Sequence, residues 1–254
     1  MTDFGLKGLK VLMAGASKGL GRYAAELFAA EGADLAICAR DAADLNSAGD
    51  ALRAHGGTVL TDTLDLCDAE AYRAWVNRSA ETLSGCDVFI SFASAGGGAA
   101  SEEKWALNFE VDVMGTWRGV DAALPWLEKS ENGAVVIVGT NVTAEPHFGV
   151  QPYAAMKAAI THYGSALAQQ VSSKGIRVNT VSPGPIFIEN GDWDKIREGR
   201  PAVYDATLAK VPMGRLGKPE EVAFAIGFLA SPKASFITGT NVFVDGGMTK
   251  RVQF

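Results

Sequence analysis

The sequence predicts a doubly wound α/β fold: one domain over residues 1–254, with about seven parallel strands and helices on both faces. Two observations carry that prediction. Short apolar runs rich in Val, Leu and Ile alternate with longer stretches of helical period along the whole chain, the signature of right-handed βαβ units. The strand runs are apolar throughout rather than alternating, as happens when helices cover both faces of a sheet.

In order, "LKVLMAG" reads as the first strand, "GRYAAELFAAEG" as a helix, "ADLAICAR" as the second strand, the region around "LNSAGDALRAHG" as a helix and "TVLTDTLDL" as the third strand. The series continues through the strands "CDVFISFAS", "GAVVIVGT", "IRVNTVSPG" and "NVFVDGG", with six or so helices in total and no repeat or low-complexity segment. The stretch "QPYAAMKAAITHYGSALAQ", residues 151–169, reads as a helix that opens with a proline and carries Tyr153 and Lys157 one turn apart. One interval breaks the rhythm: residues 185–218 interleave Pro, Gly and Trp with short helical patches and are longer than a crossover needs. Long connections at the carboxyl end of such a sheet serve the ligand site, so this interval is expected to be a substrate-loop insertion.

About half of the 254 residues are apolar and a fifth charged, and the formal charge of −6 is spread along the chain without runs of one sign. Nucleic acid is thereby excluded as an expected partner. Cys38, Cys67 and Cys86 are scattered and lack metal-ligand spacing, so they read as core packing in a reducing compartment, with no metal expected. "MTDFGLKGLK" has no apolar run of signal length, and no window reaches the roughly 18 apolar residues of a membrane span. A cytoplasmic location is the expectation.

"MAGASKGLGRYAAEL" follows the first strand directly and opens the first helix, with Gly15, Gly19 and Gly21 spaced GxxxGxG around Ser17, Lys18 and Leu20. Glycines there let the backbone turn tightly and approach a pyrophosphate, which free N–H groups and the macrodipole hold at the helix N-terminus. The second strand ends in Ala39 and Arg40, where a site for NAD(H) would show a carboxylate for the ribose hydroxyls. A guanidinium suits a 2′-phosphate instead, and Lys18 adds a second positive charge, which favours NADP(H) over NAD(H). Asp65, just past the third strand, can accept the amino hydrogens of adenine, while Asp68 is the better N-cap for the helix that follows.

Taken together, "GASKGLG", "YAAMK", "RVNTVSPGPI" and "FITGTNVFVDGG" resemble the classical short-chain dehydrogenases/reductases over essentially the whole chain, in the right order and spacing. The resemblance implies a Rossmann-type domain, NAD(P)(H) chemistry and a homotetramer. It also implies that Tyr153 is the general acid/base and that Lys157 holds the nicotinamide ribose and lowers the phenol's pKa. A free phenol, with pKa about 10, is a poor base at neutral pH, and nearby positive charge favours its phenolate. The remaining cofactor positions implied are Leu66, Ala93, Pro183, Gly184, Ile186 and Ile188.

The supporting residues depart from the family pattern. Thirteen residues before Tyr153 stands Thr140 in place of serine, with the same donor and acceptor capacity plus a methyl that stiffens χ1. In "KWALNFEVDVMGTW" the residue that aligns with the family's relay asparagine is Asp112, which lacks the amide donors and adds a negative charge near Lys157; Asn108 lies one turn earlier. "SFAS", Ser91 to Ser94, stands where the family has "NNAG", and Ile188 where it often has threonine.

The substrate pocket is expected between "EPHFGVQ", the "AGGG" loop and Phe187, Ile188 and Trp193, with an apolar lining, no charged anchor and His147 nearby. That suits a hydrophobic ketone or secondary alcohol. An acyl-carrier-protein substrate is disfavoured because "PWLEKSENG" is balanced rather than basic. "GTWRGVDAALPWL" and the Tyr153 helix carry apolar outer faces, which suit subunit contacts. Two other uses of the same motifs are a nucleotide-sensing binding protein that has lost turnover and an epimerase or dehydratase with retained cofactor. Intact Tyr153 and Lys157 argue against the first.

Overall fold

In the computed structural model, residues 3–252 are described and form one seven-stranded, fully parallel sheet in the order β3-β2-β1-β4-β5-β6-β7. The strands are β1 (Lys10–Ala14), β2 (Asp34–Ala39), β3 (Val59–Thr63), β4 (Val88–Ser91), β5 (Ala134–Val138), β6 (Arg177–Pro183) and β7 (Asn241–Val244). Strand order reverses beside β1, where Val11 pairs with Leu35 on one side and Val88 on the other. The carboxyl end of that reversal is where open α/β sheets bind ligands.

Helices α1 (Gly19–Ala30), α2 (Ala42–Arg53) and α9 (Pro219–Ala230) cover one face, and α3 (Ala69–Leu83), α5 (Gly115–Leu127) and α6 (Pro152–Val171) the other. The strands feed the two cores alternately. Val11 and Met13 pack with Phe28, Leu45 and Ile226, whereas Leu12 and Ala14 pack with Tyr72, Trp75, Val120 and Ile160. Successive strand side chains point to opposite faces, so two buried faces demand an unbroken apolar run. Arg177, buried on β6, donates to the carbonyls of Leu229 at 2.6 Å and of Ala230 and Ser231 at 3.1 Å. Its guanidinium thus satisfies the free carbonyls at the end of α9.

More helix is present than the sequence pattern predicts. The long interval after β6 folds into α7 (Asp192–Gly199) and α8 (Pro201–Leu208). The predicted helix around "KWALNFEVDVMGTW" is three segments in continuous helical backbone: α4 (Glu102–Asn108), a π turn (Phe109–Met114) and α5. Among the described residues no helix is long and apolar enough to cross a membrane. Cys38 and Cys86 are buried as expected, but Cys67 is half-buried beside Asp65, outside the core.

The glycine loop is shaped by two constraints. Gly15 adopts φ +85°, a left-handed conformation that side chains disfavour. A Cβ on Gly21 would overlap the Gly15 carbonyl and stand 2.8 Å from Ala16 Cα, so α1 can meet the loop only through a glycine. Gly21→Ala therefore forces backbone apart. Overpacking costs about 1–3 kcal/mol, and a chain of this size loses roughly 2–4 °C of Tm per kcal/mol, so thermal denaturation should show a fall of several degrees.

Candidate active site

Lys157 is the hinge of the site. It lies on the second turn of α6, is 2 % exposed, and donates from Nζ to the carbonyls of Ala93 at 2.8 Å and Val138 at 2.9 Å. Ala93 follows β4 and Val138 ends β5, so one ammonium ties α6 to two adjacent strand ends. Burial pulls its pKa down; Asp112 opposes that, with Oδ1 at 3.4 Å from Nζ.

Asp112 sits within the π turn, fully buried. Its Oδ2 accepts from the Ala95 N–H at 3.0 Å and from Asn108 Nδ2 at 2.9 Å, while Oδ1, the oxygen beside the ammonium, has no hydrogen-bond donor among the described residues. Asn108 also donates to the Gly96 carbonyl at 3.2 Å, and Lys104 Nζ to that of Ala95 at 2.6 Å. Asp112 and Asn108 thus act together, holding the "AGGG" loop from behind. The "SFAS" segment braces itself differently: Ser91 Oγ bonds Thr116 Oγ1 at 3.0 Å, and Phe92 N–H bonds the Ala14 carbonyl at 2.9 Å.

Tyr153 stands one turn before Lys157, its ring 6.0 Å from Nζ. Burial pushes the phenol up to about 12, the Thr140 hydroxyl beside it pulls the other way, and the carboxylates of Asp112 and Asp192 push it further up. Burial, the largest contribution, and the two carboxylates thus raise the phenol in the chain alone; the lowering expected from the motif draws also on the charge of an oxidised nicotinamide.

Two cavities flank this group. The first, of about 470 Å³, is lined by Gly15, Ser17, Lys18, Arg40, Asp65, Leu66 and Ala93 among others. Its residues fit a dinucleotide: α1 begins without a capping side chain or an acid in its first turn, leaving its N–H groups and positive end for an anion. Arg40 is exposed and makes no ion pair among the described residues, whereas Lys18 reaches Asp44 at 3.2 Å. Asp65 Oδ1 accepts from the Cys67 N–H at 2.9 Å, and Asp68 caps α3, so the second carboxylate oxygen of Asp65 is left for a ligand. Gly19 is left-handed at φ +58°, and Leu20, on the first turn of α1, packs against the core rather than lining the cavity.

The second cavity, about 920 Å³, is walled by Thr140, Asn141, Tyr153, Gly184, Phe148, Trp193 and Met248, among others. Phe148, Trp193 and Tyr204 form an aromatic chain over it, with ring separations of 6.2 and 6.5 Å. Pro183 ends β6 and Gly184, the next residue, lines the cavity; a Cβ on Gly184 would stand 2.6 Å from Asp245 Cβ. Beyond them Ile186 bridges to Gly217 and buries its side chain in the core, and Ile188 packs there too, so only backbone is offered from these positions.

The lining corrects several expectations. Asp192, Lys195 and Arg200 all face this cavity, so it does not lack charge. Of Phe187, Ile188 and Trp193, only Trp193 lines it. His147 lies outside the lining, packed edge-on against Phe148 with Glu145 at 3.9 Å. Glu145 in turn accepts from the backbone of Lys250 and Arg251, at 2.5 and 2.9 Å. Gln151, from the expected "EPHFGVQ" segment, lines the cavity, and so does Asn141, which motif spacing passes over. The only sequence signal of Asn141 is adjacency to Thr140; for Asp192 and Lys195 it is the i, i+3 spacing in "DWDK".

Comparison with known proteins places the chain. A family profile described as enoyl-(acyl carrier protein) reductase matches residues 15–249. The isoepoxydon dehydrogenase of Aspergillus clavatus is 38% identical over 98% of both chains, and the 3-oxoacyl-acyl-carrier-protein reductase of Vibrio cholerae 34% identical over 96% of this chain and 98% of its own. The L-sorbose reductase of Gluconobacter frateurii, solved with NADPH and L-sorbose, superposes with a TM-score of 0.90 at 29% identity, covering 99% of this chain and all of its own. With that similarity running the length of the chain and the same sheet beneath it, the protein belongs to the short-chain dehydrogenase/reductase family of oxidoreductases.

Proposed function

We propose that the protein transfers a hydride between NADP(H) and a carbonyl or secondary alcohol, with Tyr153 as general acid/base. One observation carries this reading: Tyr153 and Thr140 share a wall of the larger cavity, while Lys157, directly behind, bonds to Ala93 on the wall of the smaller one. Proton and nucleotide are thereby brought to one place. The nicotinamide, when bound, supplies or takes up the hydride. Tyr153 gives its proton to the carbonyl oxygen in reduction and takes it from the hydroxyl in oxidation. Held at about 12, the phenol rests in its donor form at neutral pH. Thr140 orients the same oxygen through its hydroxyl. Lys157 and Asp112 keep the wall in place and set its charge.

Support for NADP(H) comes from the exposed, unpaired Arg40 with Lys18 at the glycine loop, and from the NADPH held by the L-sorbose reductase. Gly15, Ser17, Gly19, Leu20 and Gly21 would form the phosphate turn, Asp65 and Leu66 the adenine side, and Pro183, Gly184, Ile186 and Ile188 the nicotinamide side. The substrate we infer has one hydrophobic flank, against Val142, Phe148, Trp193 and Met248, and one oxygen-bearing flank, against Asn141, Gln151 and Asp192. L-sorbose, a polyhydroxy ketone, matches the oxygen-bearing flank alone. Exposed Ala155, Ala159 and Ala166 on α6 support reading that face as a contact within a homotetramer.

A panel of ketones and alcohols run with both nucleotides, followed at the nicotinamide absorbance band, tests the reading directly. Net redox supports it; binding without turnover points to a sensor, and substrate conversion without net redox to an epimerase. Tyr153→Phe should lower kcat by about 10²–10⁴-fold with nucleotide affinity nearly unchanged, and retained turnover would remove Tyr153 from the mechanism. Arg40→Asp should lower kcat/KM with NADPH by roughly ten- to a hundredfold, the worth of lost charge-assisted bonds, and raise it with NADH. Asp112→Asn removes an anion that disfavours the phenolate, so Tyr153 should ionise at lower pH. Phenolate absorbance, taken as a difference against the same chain with Tyr153→Phe, reads this; an unmoved titration denies Asp112 its electrostatic role.

A further inference from the structure

Asn141 opens the 3₁₀ turn Asn141–Thr143 immediately after Thr140. Its backbone carbonyl is committed to the Ala144 N–H at 3.0 Å. The side chain is only 3 % exposed, yet Nδ2 has no acceptor among the described residues. Six other residues carry a buried polar atom without a partner: Tyr72, Trp75, Asn108, Asp112, His147 and Thr249. None of those lines the larger cavity, and Asn141 does, between Thr140 and Gly184. Gly184 lies beside the amide: a Cβ there would be in van der Waals contact with Nδ2 at 3.5 Å, and glycine leaves that position empty. The terminal torsion of asparagine is soft and roughly twofold, so rotation can turn either edge of the amide toward a ligand. A buried amide donor without an acceptor carries a desolvation penalty that a ligand oxygen would remove.

We propose that Asn141 is a specificity-determining residue that hydrogen-bonds a second oxygen of the substrate, a hydroxyl on the carbon next to the reacting carbonyl. Thr140 and Asn141 both line the cavity, so a substrate whose reacting oxygen meets the Thr140 hydroxyl has the Asn141 amide on the same wall. The substrate class is then an α-hydroxy ketone and its product a vicinal diol. This deepens the hydride-transfer reading above and rests on it. Gln151 flanks the same region, but its amide already donates to the Phe148 carbonyl at 3.3 Å, which leaves Asn141 as the lining amide without a partner among the described residues.

The test compares 2-hydroxycyclohexanone with cyclohexanone for the native chain, Asn141→Ala and the nearly isosteric Asn141→Leu. The native chain should prefer the hydroxylated ketone by at least about tenfold in kcat/KM, because a site built to bond a hydroxyl discriminates strongly against its absence. Both variants should lose that preference, with kcat/KM falling about tenfold further on the hydroxylated ketone than on cyclohexanone and the KM for nucleotide unmoved. If one variant fails to fold, the other carries the comparison. A preference that survives in the variants overturns the proposal. So does an equal loss on both ketones, which marks a structural role, or a changed nucleotide KM, which assigns the amide to the cofactor. Native activity on cyclohexanone without preference overturns this proposal alone; inactivity on both ketones with either nucleotide overturns the hydride-transfer reading with it.

Discussion

A single buried ammonium organises this molecule. Lys157 gathers the carbonyls of Ala93 and Val138 and the carboxylate of Asp112 around one charge that water barely touches. Such a charge is tolerated only when hydrogen bonds and a counterion replace its hydration. The replacement comes from three places in the chain: just beyond β4, the end of β5 and the π turn. The walls of the two cavities are consequently not independent: Ala93 on one and the helix that carries Tyr153 on the other meet at one desolvated ion pair.

The placement of that pair follows from the sheet. Reversal of strand order beside β1 opens a crevice at the carboxyl end, and the glycine loop and Ala93 lie along it. The two hydrophobic cores fix the strands from both sides, so the loops inherit rigid bases while supplying the chemistry themselves. Asp112 extends that rigidity outward by clasping the Ala95 N–H and Asn108, which anchors a glycine-rich loop that would otherwise have little to hold it.

Most of the fold was legible in the sequence because a fully buried parallel sheet leaves a periodic signature. β1, β4 and β5 are apolar at every position apart from a terminal Lys10 and Ser91, since both faces are covered. The glycine loop, Tyr153, Lys157 and Thr140 were legible for another reason: fixed spacing on a strand end or one helix face survives without tertiary knowledge. What escaped were features that tertiary packing decides. No period distinguishes a π turn from an α turn, and the charges of Asp192, Lys195 and Arg200 face a cavity only because α7 and α8 fold back over it. Asn141 was hidden by its neighbour, since a motif names Thr140 and says nothing of the amide beside it. The rise of the Tyr153 pKa in the chain alone was hidden for a related reason: spacing reveals the ammonium but not how deeply the phenol is buried.

The π turn at Phe109–Met114 is a one-residue surplus in an otherwise α-helical run. In angular terms, α4 and α5 are two helices out of phase by about 100°, the rotation per residue of an α-helix. That offset lets Trp105 and Phe109 remain on the outside while Asp112 turns fully inward. Removing one residue would restore phase and swing the carboxylate off Lys157. Between residues 102 and 127, then, chain length is an electrostatic quantity: the count of residues, more than their identities, decides whether the buried ammonium has its counterion.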